Sequence, residues 1–130
     1  MTDLAQSLSV SASGMTAQSA RLRHISENIA NADTPGYHRK LVSFDPEKVD
    51  GHTTGDVKVG PVQLDKSPLK QIYDPGNPLS DSTGHYAGSN VDMIVEVADA
   101  KEAQRSYQAN LNMFEQARQM QTSLLDLLRR

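Results

Sequence analysis

From Asn90 to Arg130 the sequence contains neither glycine nor proline, and from Met1 to Thr34 it contains only Gly14. Glycine and proline are the residues that most readily interrupt a helix, so their exclusion permits long unbroken helices at both ends. The middle is the opposite: residues 37–90 hold every proline except Pro35 and every glycine except Gly14 and Gly36.

The first segment carries Leu4, Leu8, Ser11, Met15, Gln18, Leu22, Ile25 and Ile29 at alternating spacings of four and three, which trace one helix face. Ser11 and Gln18 weaken that seam, and Gly14 costs about 1 kcal/mol relative to alanine, so a self-sufficient coiled coil is not expected. Its other faces are rich in serine, threonine and glutamine, and Asp3 is the only charge before Arg21. Small uncharged side chains let backbones approach closely and carry no charge to desolvate, so this face reads as one crowded by helices of an assembly.

In the last segment Ala100, Ala103, Tyr107, Leu111, Phe114, Ala117, Gln121, Leu124 and Leu128 form a second apolar stripe. Asn90 is the expected N-cap, with Asp92 in the first turn, and Arg129 and Arg130 complement the negative helix end. At 1.5 Å per residue the two helices would span about 40 and about 55 Å. Leu8, Met15, Leu22, Ile25 and Ile29 are expected to pack on Tyr107, Leu111, Phe114, Leu124 and Leu128, with Met15, Leu22, Tyr107, Leu111 and Phe114 as principal anchors.

Between the helices, Asp33-Thr-Pro-Gly36 predicts a turn in which Pro35 fixes φ and Gly36 supplies a positive one. Asp56–Val59 and Val62–Leu64 alternate with the period of strands, while Tyr73–Pro78 and Gly84–Ser89 read as loop. The predicted fold is therefore mainly α: two long terminal helices pairing as a coiled-coil-like hairpin, with a small β-rich or irregular insertion between them. The expected divisions are residues 1–36, 37–90 and 91–130, the first and last forming one helical domain. With no tryptophan and only Phe44 and Phe114, the isolated chain buries a thin core, so its termini are expected to order fully only on assembly.

Chemistry-bearing patterns are scarce. His24, His38, His52 and His85 lack metal-ligand spacing, and His24 reads as a surface residue. No nucleophile elbow or phosphate loop is present, and Asp45 and Glu47 read as solvated loop acids rather than a glycosidase pair. No catalytic, cofactor or metal site is predicted. A net charge of -3 without a basic cluster disfavours nucleic acid, and no apolar run is long enough for direct membrane insertion. The first ten residues lack the basic and apolar regions of a cleaved signal, and the absence of cysteine leaves the compartment open.

Ser26-Glu-Asn-Ile-Ala-Asn-Ala-Asp-Thr-Pro-Gly-Tyr37 closely resembles the signature of bacterial flagellar rod and hook proteins, through Asn28, Ile29, Ala30, Asn31, Thr34, Gly36 and Tyr37. The family's second motif is matched by Arg105-Ser-Tyr-Gln-Ala-Asn110, which includes Tyr107, Gln108, Ala109 and Asn110. Tyr73–Pro78 and Asn90–Asp92 are similar to the small subunits of the proximal rod, so the likeness spans nearly the whole chain. The resemblance implies a structural subunit of the basal body that transmits torque from the membrane ring toward the hook. It further implies type III export without a cleaved signal and polymerisation in the periplasm. The implied partners are copies of itself, other rod proteins, the membrane-ring adaptor protein and the flagellar type III export apparatus. The stretch Ala32–Tyr37 is short for this subtype, which keeps the companion proximal-rod subunit as an alternative. A helical adaptor or chaperone of a type III apparatus would also be satisfied by two amphipathic helices.

Overall fold

With no proline before Pro35, the first segment winds into one helix, α1, Thr2–Ala30, and the last into α2, Met93–Leu128. The computed structural model describes residues 2–130, so Met1 lies outside it. Gly14 does not interrupt α1. The helices run antiparallel: Asn28 meets Glu96, Gly14 lies against Asn110, and Leu4 shares a groove with Met120 and Leu124.

Ser11, Ala17, Ile25 and Asn28 of α1 are buried, as are Glu96, Ala103 and Ala117 of α2. On α2 the closed seam follows one heptad phase, with half-buried Asn110 between Ala103 and Ala117. This differs from the predicted packing. Of the residues expected to pack the hairpin, Tyr107, Leu124 and Leu128 are exposed, while Leu8, Met15, Leu22, Ile29, Leu111 and Phe114 are half-buried. Interhelical distance depends on the side chains at the contact, and alanine, serine and glycine at the crossing draw the backbones together. Larger side chains are displaced to the flanks.

Asn90 is not the helix cap. Asp92 takes that role, its carboxylate accepting from the Ile94 amide at 3.0 Å. Asn90 instead accepts from the Arg39 amide at 2.6 Å and donates to the Asp65 carbonyl at 2.9 Å, which ties the insertion to the start of α2.

The insertion consists of two antiparallel hairpins. β1, Lys40–Val49, pairs with β2, His52–Leu64, and β3, Gln71–Tyr73, pairs with β4, His85–Ala87. Asp50 and Gly51 close the longer hairpin with φ of 51° and 80°, the mirror-image turn that matches strand twist. That hairpin lies back along α1: Ser9 donates to Asp56 at 2.6 Å, Gln6 donates to the Thr54 carbonyl at 3.1 Å, and Ser13 accepts from the Val57 amide at 3.0 Å. Part of the serine-rich face of α1 is thus covered by this chain's own strand rather than by another helix. Small hydroxylated side chains serve that contact because they admit a backbone and hydrogen-bond to it.

Candidate assembly site

The rod-signature segment forms the neck where α1, the insertion and α2 meet. Its turn has the predicted geometry: Gly36 has φ 73°, and the Tyr37 amide donates to the Thr34 carbonyl at 3.2 Å across Pro35 and Gly36. The Gly36 amide also reaches the Ala87 and Gly88 carbonyls at 3.2 and 3.0 Å, and Ser89 donates to the Ala32 carbonyl, so β4 is fastened under the turn.

Asn28 is the hub. Its carbonyl accepts from the Tyr37 hydroxyl and the Lys40 amide, both at 2.8 Å, while its amino group donates to the Lys40 carbonyl at 3.1 Å and to Glu96 at 3.3 Å. Asn31 closes the helix end by donating to the Glu27 carbonyl at 2.8 Å and accepting from Thr34 at 3.0 Å. Ile29 is half-buried and Ala30 exposed.

Beneath this turn lies an ion pair that the sequence reading did not single out. Glu96 is 0% exposed, and its carboxylate accepts from Arg39 Nε at 2.7 Å. The Arg39 guanidinium also faces Asp65 and Asp99 at 3.5 Å each. Burial lowers the guanidinium pKa, but the hydrogen bond and charge of Glu96, then those of Asp65, outweigh it and leave the group above its ordinary value. Arg21 extends the network to Asp99 and Glu102 at 3.7 and 3.5 Å, and Lys40 pairs with Glu27 at 2.6 Å. The Lys40 hydrogen bond holds Glu27 below the usual carboxylate range, and Glu27 raises Lys40 in return. Asp65 is lowered by its hydrogen bonds from Ser67 and then by Arg39. His24 is buried rather than on the surface, 3.6 Å from Glu27. A signal for Glu96 existed: it lies four residues before Ala100, an acid in the register of an apolar stripe.

The second motif sits elsewhere. Asn110 packs on Gly14 and donates to the Ser106 carbonyl at 3.0 Å, while Gln108 donates to Asn112 at 3.0 Å on the outer side. Ala109 is exposed. The two motifs therefore do not meet: the first builds the neck, the second sets the spacing of the hairpin midway along it. A Cβ on Gly14 would lie 2.7 to 2.9 Å from the Asn110 side chain, so Gly14 is a packing contact.

Away from the neck the hairpin presents apolar side chains without partners. Met120, Leu124, Leu125, Leu127 and Leu128 are exposed near the end of α2, where Leu4, Met120, Leu124 and Leu127 line an open groove. A second groove runs beside α1, lined by Met15, Val59, Tyr107 and Phe114. Among the described residues, no cluster of histidine and acidic side chains is arranged to hold a metal ion, and no helix is long and apolar enough to cross a membrane. What this arrangement offers is a rigid polar neck carrying a rod of unsatisfied apolar surface.

Comparison with known proteins accounts for both parts. Residues 8–38 match the family model described as flagella basal body rod protein, and residues 82–127 match that of the flagellar basal body rod FlgEFG protein C-terminal region. The flagellar basal-body rod protein FlgC of Agrobacterium fabrum is 43% identical, over 99% of this chain and 98% of its own. The FlgC proteins of Salmonella typhimurium and Yersinia enterocolitica are 37% and 34% identical, each over 91% of this chain and 92% of theirs. Two family signatures, a likeness running from end to end, and a hairpin whose neck is built from the first signature establish that this chain belongs to the FlgC family of flagellar basal-body rod proteins.

Proposed function

We propose that this chain is a structural, non-enzymatic subunit of the proximal rod of the bacterial flagellar basal body. The observation that carries this reading is the end-to-end likeness to basal-body rod proteins, joined to a hairpin with apolar flanks exposed along its length. Residues 1–36 and 91–130 form its helical domain, and residues 37–90 form an insertion locked to it at the neck. Leu8, Met15, Leu22, Ile25, Ile29, Leu111 and Phe114 supply packing within the hairpin, and the exposed Tyr107, Leu124 and Leu128 supply it between subunits.

The physical task is to carry torque from the membrane ring toward the hook without slipping. A helical lattice of repeated heterologous contacts distributes that load over many apolar surfaces. The neck's part is to stop each insertion rotating against its helices, because directional hydrogen bonds and a buried ion pair have one satisfying geometry. Its partners are copies of itself, other rod proteins and the membrane-ring adaptor protein, and it reaches the periplasm through the flagellar type III export apparatus without signal cleavage. Apolar surface left open in the free chain would be covered on assembly, where the termini also gain their full order.

The test is deletion in the host, followed by imaging of isolated basal bodies and a swimming assay. Basal bodies lacking a complete rod, with motility lost, are expected; intact basal bodies would overturn the assignment.

A further inference from the structure

The start of α2 is built inside out. Glu96 is 0% exposed, whereas Met93, Val95 and Val97 are exposed and Ile94 is 81% exposed. At about 100° per residue, Ile94 points away from Glu96, with Met93 and Val97 on one flank and Val95 on the other. The Arg39 pair occupies the inward side of the helix, which leaves the bulky aliphatic residues facing out. A turn that is apolar on every side but one is stable only when something covers it.

The same chain carries a matching recess. The groove lined by Met15, Val59, Tyr107 and Phe114 has a volume of about 670 Å³, and small side chains including Ala12 and the exposed Ser19 also line it. Arg23 also lines it, and forms no ion pair with any described residue. Beside Ile94, the exposed Asp92 likewise lacks a cationic partner among the described residues. An aliphatic knob next to an unpaired acid thus meets, on another part of the molecule, an uncharged aromatic recess next to an unpaired base.

We propose that Ile94, flanked by Met93 and Val97, inserts into the Tyr107–Phe114 groove of a second copy of this chain, with Asp92 facing that copy's Arg23. The charged pair orients the approach and the aliphatic knob supplies the burial. Knob and recess lie at different heights along α2, Met93 two heptads before Tyr107, so copies stacked in one direction make a heterologous contact that leaves one of each free on the outer copies to continue a row. This rests on the rod reading and assigns one of its lateral surfaces.

The native chain has no cysteine, so introduced thiols are the only ones it carries. Ile94→Cys and Ser19→Cys, both at exposed positions, are combined in one chain expressed in the flagellated host, and purified basal bodies are treated with a short bismaleimide. Species at two and more chain masses are expected from the double variant and not from either single variant. If the double variant is present in basal bodies but gives no multiple-mass species, the proposed contact is overturned while the rod reading stands. If either single variant cross-links as efficiently as the double, the knob-to-groove pairing is overturned. If the unsubstituted chain is itself absent from purified basal bodies, the rod reading fails and takes the contact with it. As an independent measure, Ile94→Asp is expected to lower incorporation more than tenfold with monomer helicity unchanged. Undiminished incorporation would also overturn the contact.

Discussion

Glu96→Ala tests whether the neck is held by its ion pair. The substitution removes a fully buried carboxylate that accepts from Arg39 at 2.7 Å and from Asn28 at 3.3 Å. Breaking a buried pair costs about 3–5 kcal/mol, because the surviving partner stays desolvated. Arg39 keeps Asp65 and Asp99 at 3.5 Å and its side chain is 17% exposed, which places the cost near the lower bound, about 3 kcal/mol. For a chain of this length that is roughly 10 °C in melting temperature. Replacing both partners, Arg39→Met with Glu96→Leu, removes the buried charges together and is expected to cost about 1 kcal/mol, less than either single change. The assay is urea unfolding followed by helicity, with amide exchange at Gly36, Arg39 and Lys40 to localise the loss. A cost below about 1 kcal/mol for Glu96→Ala, or additive costs in the double variant, would refute the claim that the pair organises the neck.

Gly14→Ala removes a helix-propensity penalty of about 1 kcal/mol but places a methyl group against Asn110, so net destabilisation of about 1 kcal/mol is expected in urea unfolding, relieved by Asn110→Ala. Glu27 and Asp65 are both held below their ordinary values by the folded neck, so their contribution is complete above the unfolded carboxylate range and is lost as pH falls through the lowered values. Exchange protection at Lys40 and Asp65 should therefore begin to drop below roughly pH 5, at the upper edge of the unfolded carboxylate range, and remain constant from there to neutrality. Leu22→Asp or Phe114→Asp should abolish rod assembly, and normal swimming in either variant would count against the packing assigned to these half-buried residues. Gly51→Val places a β-branched residue at φ 80° and should cost about 1–3 kcal/mol, read as loss of strand exchange protection on both sides of the turn.

The helices were legible because exclusion of glycine and proline together with a spacing of three and four is a long signal, repeated over many residues. The Thr34–Tyr37 turn was legible because Pro35 and Gly36 each impose a local backbone geometry. The longer hairpin was only half legible. Asp56–Val59 and Val62–Leu64 do lie on β2, but β1 carries Asp45, Pro46, Glu47 and Lys48 in sequence, which hides any alternation. Pro46 is accommodated next to a register irregularity between Pro46 and Lys48, where a missing amide donor is tolerated. Asp50-Gly51 was the overlooked marker, a dipeptide that favours the observed mirror-image turn. The neck was least legible because Arg39 and Glu96 are 57 residues apart, and only the fold brings a charge in the stripe's register to its counter-charge. The stripes did contain the closed seam, through Ser11, Ile25, Ala103 and Ala117, but large residues were expected to anchor it, when close approach of two helices is decided by the small ones.

Charge divides the hairpin into two physical regimes. No charged side chain occurs from Leu4 to Ala20, and only Glu115, Arg118 and Asp126 occur from Ser106 to Leu128. The ion pairs found among the described residues all fall in the other half, from Arg21 to Glu102. Polar contacts are directional, so the neck can specify the attitude of the insertion within a single chain. Apolar contacts are non-directional, and here they are incomplete, because Met113, Met120, Leu124 and Leu127 remain exposed. The free chain should accordingly show a gradient of amide protection, strongest around Asn28 and Glu96 and weakest toward Leu4 and Leu127. Assembly should remove the gradient by covering the distal half. Uniform protection along both helices in the dilute chain would mean that the hairpin needs no neighbours, and that its exposed apolar flank has some other purpose.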